Sequence, residues 1–286
     1  MTYDSPEALR MALEDRLANT ARESGLSLDR LRRRVVFERI ATRLQVAEPR
    51  AWVVKGGMAL EVRLRDSARL TKDIELGLRG DFDGPEDLHD RLVEALAADP
   101  FGDWFVFRVE PPTALKPDGA GHLTWRSKIS AHLAGRMFGG VKLDISPRSH
   151  ELDLTEEIDL PNTLDFAGID TATIEIIDLH RHAAEKFHAM LRDFGEHENT
   201  RVRDLIDLVL LREHLPIDLD QLREMTRQVW HERDQADPPV EFPELPASWP
   251  DRYEAIATQH DLTITYPEAT TIVGRLWAEL FPNEET

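Results

Sequence analysis

The segment from Val53 to Leu78, VVKGGMALEVRLRDSARLTKDIELGL, constrains this chain more than any other. It reads as a short apolar strand, a Gly56-Gly57 turn opening a helix, and a second strand carrying Asp73 and Glu75 two residues apart. Alternate residues of a strand share a face. Asp73 and Glu75 are therefore expected on one side, with Ile74 and Leu76 anchoring the other side in a core. The amides of Gly56 and Gly57, at a helix N-terminus, are expected where phosphate binds. Lys55, Arg69, Thr71 and Lys72 supply further groups for anionic oxygens. Two carboxylates facing a phosphate cradle describe a metal-assisted phosphoryl or nucleotidyl transfer site. Acid-x-acid spacing alone is common in a chain with 54 acidic residues; the strand, the glycine turn and the basic neighbours single this pair out.

Around this unit the pattern alternates between helix and strand. Ser5-Pro6-Glu7 marks a helix start, and Ser27 caps a second helix running to about Ala47. Gly84-Pro85-Glu86 opens another, and strand-like runs follow at Trp104 to Val109, Leu123 to Leu133 and Val141 to Ile145. In VKLDIS, Asp144 alternates with Leu143 and Ile145, so it becomes a third carboxylate beside Asp73 and Glu75 if the strands are neighbours. Beyond roughly Gly168 the pattern reads as helical, giving an expected division into residues 1–167 and 168–286. On IIDLHRHAAEKFHAMLRD, Ala183, Lys186, Phe187 and Met190 share one face; Lys186 either snorkels to water or reaches toward a triphosphate. Asp204 and Asp207, one turn apart on the next helix, are either surface charges or partners of Lys186 and Arg201. A proline-rich connector spans Asp237 to Pro250, and helical spacing resumes from Thr270 to Phe281.

Composition narrows the function classes. The net charge of −19 argues against binding nucleic acid by bulk electrostatics. Any RNA contact must be local, and the cluster Arg30, Arg32, Arg33, Arg34 and Arg39 is the candidate, with a charged outer helix face as the plainer alternative. Zero cysteines exclude disulfides, thiolate metal sites and cysteine nucleophiles. His180, His182, His188 and His197 lack a metal-ligand spacing and read as structural. With no apolar run of about 18 residues and no basic-then-apolar leader, the expected location is cytoplasmic, with no membrane partner.

Three separated elements, VVKGGMALEVRLRDSARLTKDIEL, AEKFHAM with Glu185 and Lys186, and RVRDLIDL with Asp204, resemble the AbiEii-type nucleotidyltransferases, which include the MenT toxins of bacterial toxin–antitoxin pairs. Glu75 stands where that family more often has a second aspartate, and Arg203 where a lysine is common. The resemblance implies an α+β fold, with a mixed-sheet nucleotidyltransferase core and a helical C-terminal half. It implies NTP binding and transfer of the nucleoside monophosphate to an acceptor, for MenT toxins the 3′ end of tRNA, with a winged-helix antitoxin as a second partner. On this reading Asp73, Glu75 and Asp144 are catalytic carboxylates and hold Mg²⁺ against the triphosphate. Lys55, Gly56, Gly57, Arg69, Thr71 and Lys186 engage the nucleotide, and Lys186 and Asp204 complete the catalytic set. A protein hydroxyl or small molecule as acceptor, and a catalytically silent binding protein, are the alternatives.

Overall fold

A computed structural model describes residues 2–69, 71–117, 123–147, 152–195, 197–260 and 262–282. Two compact units emerge: Met1–Val62 with Thr71–Ile177, and Arg63–Leu70 with Asp178–Thr286.

The first unit contains α1 (Pro6–Ser24), α2 (Leu28–Ala47), β1 (Trp52–Lys55), most of α3 (Gly56–Leu64), β2 (Asp73–Leu78), α4 (Pro85–Ala97), β3 (Val106–Val109), β4 (Thr113–Ala114), β5 (Trp125–Leu133), β6 (Arg136–Ser146), β7 (Thr155–Asp159) and β8 (Thr173–Ile177). The strands form one mixed sheet in the order β3-β5-β6-β2-β1-β8-β7, with β4 added alongside β5. β2 lies parallel to β6 and β1 parallel to β8, while β1–β2, β5–β6, β3–β5 and β7–β8 are antiparallel. Parity in the strands sorts the faces: Ile74 and Leu76 of β2, Ile129, Ala131 and Leu133 of β5, and Val141, Leu143 and Ile145 of β6 all enter a core shared with Leu9 and Leu13 of α1, Val35 and Ile40 of α2, and Leu88 and Leu92 of α4.

Local signals explain most element ends. Ser5 Oγ accepts from the Ala8 amide and Ser27 Oγ from the Arg30 amide, each at 3.2 Å, satisfying orphan donors at the starts of α1 and α2. Two departures from the sequence reading have clear causes. β6 begins at Arg136, five residues before the expected strand, because Ala134 and Gly135 take φ of 51° and 69° and close a tight hairpin. Alanine is not a residue that announces such a turn. Past Gly168, where the pattern reads as helical, β8 instead lies beside β1. Its TIEII run buries Ile174, Ile176 and Ile177, a β-branched composition suited to a sheet interior.

The arginine cluster of α2 is not an open patch. Arg30 and Arg34 both donate from Nε to Glu61 Oε1, at 3.2 and 2.7 Å, Arg32 pairs with Glu14 at 2.6 Å, and Arg33 with Asp29 at 3.1 Å. Arg39 is wholly buried and donates to the Asp170 carbonyl at 2.8 Å; Arg43, also buried, meets Asp103 at 2.6 Å. The charged outer face expected as the plainer alternative is not what α2 presents either: it is a central helix, and its arginines are paired within the unit or buried.

Glu38, on the same helix, accepts from the Thr163 amide at 3.0 Å and its hydroxyl at 2.7 Å. Burial pushes its carboxyl from 4.5 up to about 7, against the opposing pull of Thr163, Arg39 and Arg34. The folded protein keeps a proton there that the unfolded chain releases, so this contribution to stability is complete below about pH 4.5 and is lost as pH rises through about 7. Glu38→Gln should flatten the fall in unfolding free energy between pH 5 and pH 8 by a few kcal/mol, read from urea titrations at each pH.

The second unit packs α5 (Leu179–Leu191), α6 (Val202–His214), α7 (Leu219–Asp234), α8 (Trp249–Gln259) and α9 (Tyr266–Leu280). Trp277, 1% exposed, centres its core, with ring centroids 5.0 Å from Phe187, 5.7 Å from Trp230 and 4.8 Å from Phe281. The proline-rich connector is tied down at both ends: Trp277 Nε1 donates to the Pro239 carbonyl, and Trp249 Nε1 to that of Asn199. Among the described residues no helix is long and apolar enough to cross a membrane.

Candidate active site

Register across the sheet decides which charged residues meet. Lys55 of β1 pairs with Glu75 of β2, Glu75 with Asp144 of β6, and Asp144 with Arg126 of β5. Directly paired residues project to the same face. Lys55, Glu75, Asp144 and Arg126 therefore form one row across four strands, and Asp73, two residues before Glu75, stands beside it. The structure thus brings together the three carboxylates singled out in the sequence.

It also adds a residue that sequence reasoning missed. Arg126 donates Nε to Asp144 Oδ1 and Nη2 to Asp144 Oδ2, both at 2.6 Å, and Nη2 also reaches Asp73 Oδ2 at 3.3 Å. The bond to Asp144, aided by Asp73 and Glu75, holds the guanidinium above its ordinary range. Arg126 sits in the predicted strand but carries no motif, so only the β5–β6 register exposes it.

Gly56 opens α3 with φ of 58°, a left-handed conformation open to glycine. A Cβ built there would lie 2.5 Å from both carboxylate oxygens of Glu75. Glutamate is one methylene longer than aspartate, and here that length lays its carboxylate against the glycine turn. Gly56→Ala should displace Glu75 and lower stability by about 1 kcal/mol or more, measured by thermal unfolding. Thr71 Oγ1 donates to the Asp73 carbonyl at 3.3 Å, orienting the entry to β2.

Other sequence-selected residues form a separate cluster inside the second unit. Asp207, fully buried, accepts from Arg69 Nε at 2.6 Å and Nη2 at 2.7 Å. It also pairs with Lys186 Nζ at 2.7 Å, and Lys186 meets Asp204 at 3.0 Å. Lys186 does not snorkel, and Asp207 is bound to Arg69 and Lys186 rather than standing as a surface charge. Burial would draw the Lys186 ammonium down, but Asp207 and Asp204 outweigh it and hold it above the usual lysine range. Burial would raise Asp207, yet Arg69 and Lys186 hold it below the usual carboxylate range. At neutral pH Lys186 is therefore a fixed positive charge, suited to electrostatic work and not to proton exchange. Asp207→Asn should cost about 3–5 kcal/mol in urea unfolding, because it leaves two buried cations short of a counter-charge. The same change at Asp204, with one partner, should cost less.

Two of the histidines have defined partners: His188 Nε2 lies 2.8 Å from Asp234, and His180 Nε2 accepts from the Asp218 amide at 3.2 Å. Among the described residues no group of three His, Cys, Asp or Glu side chains is already gathered around one cation position.

This combination of mixed sheet, glycine turn and carboxylate-bearing strand defines the nucleotidyltransferase class. MenT4, a nucleotidyltransferase toxin from Mycobacterium tuberculosis, superposes with a TM-score of 0.51 at 19% identity, covering 92% of this chain and 97% of its own. JHP933 from Helicobacter pylori superposes at 0.50 and 18% identity, covering 90% and 93%. Comparison with curated protein sequences finds no match. The chain belongs to the AbiEii nucleotidyl transferase toxin family of type IV toxin–antitoxin systems, which it matches over residues 39–275.

Proposed function

We propose that this protein is a cytoplasmic toxin that transfers a nucleoside monophosphate from an NTP to an RNA acceptor, the 3′ end of tRNA, and is restrained by a winged-helix antitoxin. The observation that carries the reading is the placement of Asp73, Glu75 and Asp144 on one sheet face next to the glycine turn of α3. In the reaction the acceptor hydroxyl oxygen bonds to the α-phosphorus as the bond from that phosphorus to the bridging oxygen breaks. Pyrophosphate leaves and the hydroxyl proton passes to solvent or a carboxylate.

The donor chemistry suits a hard cation: Asp73 and Asp144 present carboxylate oxygens to one point, where the Arg126 guanidinium reaches both, and Glu75 stands beside them in the row. Asp73, Glu75 and Asp144 would hold Mg²⁺, which when bound neutralises phosphate charge and acidifies the attacking hydroxyl. Lys55 and the Gly56 and Gly57 amides face the phosphates, with Thr71 beside them. The family motifs assign Arg69 and Lys186 to the same task, with Lys186 as the fixed charge, and add Asp204 to the catalytic set. A protein or small-molecule acceptor is the second reading, favoured by the net charge of −19 and by the internal pairing of the α2 arginines.

Incubation with each α-labelled NTP, first with total RNA and then with total protein, tests both. Label should appear in tRNA, and Asp73→Ala should reduce it to background with the fold retained by circular dichroism. Label in protein or a small molecule would replace the tRNA assignment by the second reading. Full activity of Asp73→Ala would remove the carboxylates from the site.

A further inference from the structure

We propose that Arg126 is a built-in counter-ion that occupies the carboxylate cluster of the sheet face and is mutually exclusive with a divalent cation there. The inference rests on the reading of Asp73, Glu75 and Asp144 as the cation-binding set, and goes beyond it in assigning a role to a residue outside the family motifs.

The geometry has three parts. The guanidinium uses a two-pronged contact on Asp144, both prongs at 2.6 Å, and spends a remaining donor on Asp73 at 3.3 Å. Those carboxylate oxygens are the ones a cation shared by Asp73 and Asp144 would use. The position of Arg126 is set by the backbone, since it lies directly across from Asp144 in the β5–β6 register. Its side chain is also not locked in: Arg126 is 28% exposed and Asp73 36%, so the fork can swing off without opening the core.

Three carboxylates on neighbouring strands would repel one another in the absence of positive charge. Arg126 relieves that repulsion. A cation entering the cluster must break the Asp73 contact and at least one prong on Asp144, so its affinity is reduced by the free energy of those contacts. The released guanidinium stays within a side chain's length of the same site, where a planar fork suits phosphate oxygens. The cluster thus exchanges one positive group for another and never carries its full negative charge.

Binding of Mn²⁺ alone, counted by the loss of its free-ion electron paramagnetic resonance signal, tests this without reference to turnover. Arg126→Gln should bind Mn²⁺ about fivefold to tenfold more tightly than the unsubstituted protein, since a two-pronged charge-assisted contact no longer competes. Arg126→Lys keeps the charge but loses the fork, and should fall between the two. Lys142→Gln, which removes a nearby charge that pairs with Asp73 in register without these contacts, controls for general electrostatics and should change affinity by less than about twofold. The metal-free Arg126→Gln protein should also melt lower than the unsubstituted protein and recover on adding Mn²⁺. Equal or weaker Mn²⁺ binding by Arg126→Gln, or equal gains in Arg126→Gln and Lys142→Gln, would overturn the proposal. If Arg126→Gln does not fold, Arg126→Lys decides alone: an affinity no tighter than that of the unsubstituted protein overturns it. Nucleotide transfer measured in parallel separates the two claims. Transfer with unchanged Mn²⁺ affinity sinks the Arg126 role alone, whereas the expected Mn²⁺ shifts without transfer sink the enzymatic reading alone.

Discussion

The alternation of β2 from Asp73 to Leu76 is the constraint on which the site depends. Ile74, Leu76 and Leu78 are almost completely removed from solvent, while Asp73 and Glu75 face the other way. A slip of one residue would turn the apolar set outward and drive two carboxylates into the hydrocarbon core. Burial of those apolar residues thus holds the carboxylates in place, and the parallel pairing with β6 carries the same parity to Asp144. Stability and chemistry share one strand here, on opposite faces.

Charge is handled in two different ways across the molecule. In α2 and around Asp207, ionic groups are buried and paired; around Asp207 the partners outweigh the loss of water, whereas at Glu38, Arg39 and Asp103 burial outweighs them. Such networks are rigid, and they fix helices relative to the segments they touch. Around Asp144 the pairing is only partly buried, with Arg126 28% and Asp144 13% exposed, so exchanging one cation for another costs less. The difference in burial separates a structural ion pair from one able to change partners, even though the distances, 2.6 to 2.7 Å, are alike.

Much of the site was legible before any coordinates. The strand–glycine turn–helix–strand unit is written in local signals: apolar alternation, a Gly-Gly pair, and acids at period two. The caps at Ser5 and Ser27 are equally local. Arg126 was not legible because its meaning comes from the strand opposite, and nothing within its own segment distinguishes it from Lys128. The Ala134-Gly135 hairpin and β8 were missed for related reasons: an alanine at positive φ gives no turn signal, and TIEII next to a strong helical period is ambiguous without knowing that β1 lies beside it.

Sequence alone determined which faces of the local elements are apolar and which carry charge, because side-chain period follows from backbone geometry. It also carried the AbiEii motifs that place the chain in its family. Only the tertiary structure decided which charges are neutralised and by whom: that the arginines of α2 are paired internally, that Lys186 is sunk between Asp204 and Asp207, and that a guanidinium stands between Asp73 and Asp144. Apart from the local pair Arg33–Asp29, those pairings join residues at least 18 positions apart in the chain. Coulomb interaction depends on separation in space and on burial, and neither is encoded in the spacing of residues along the chain.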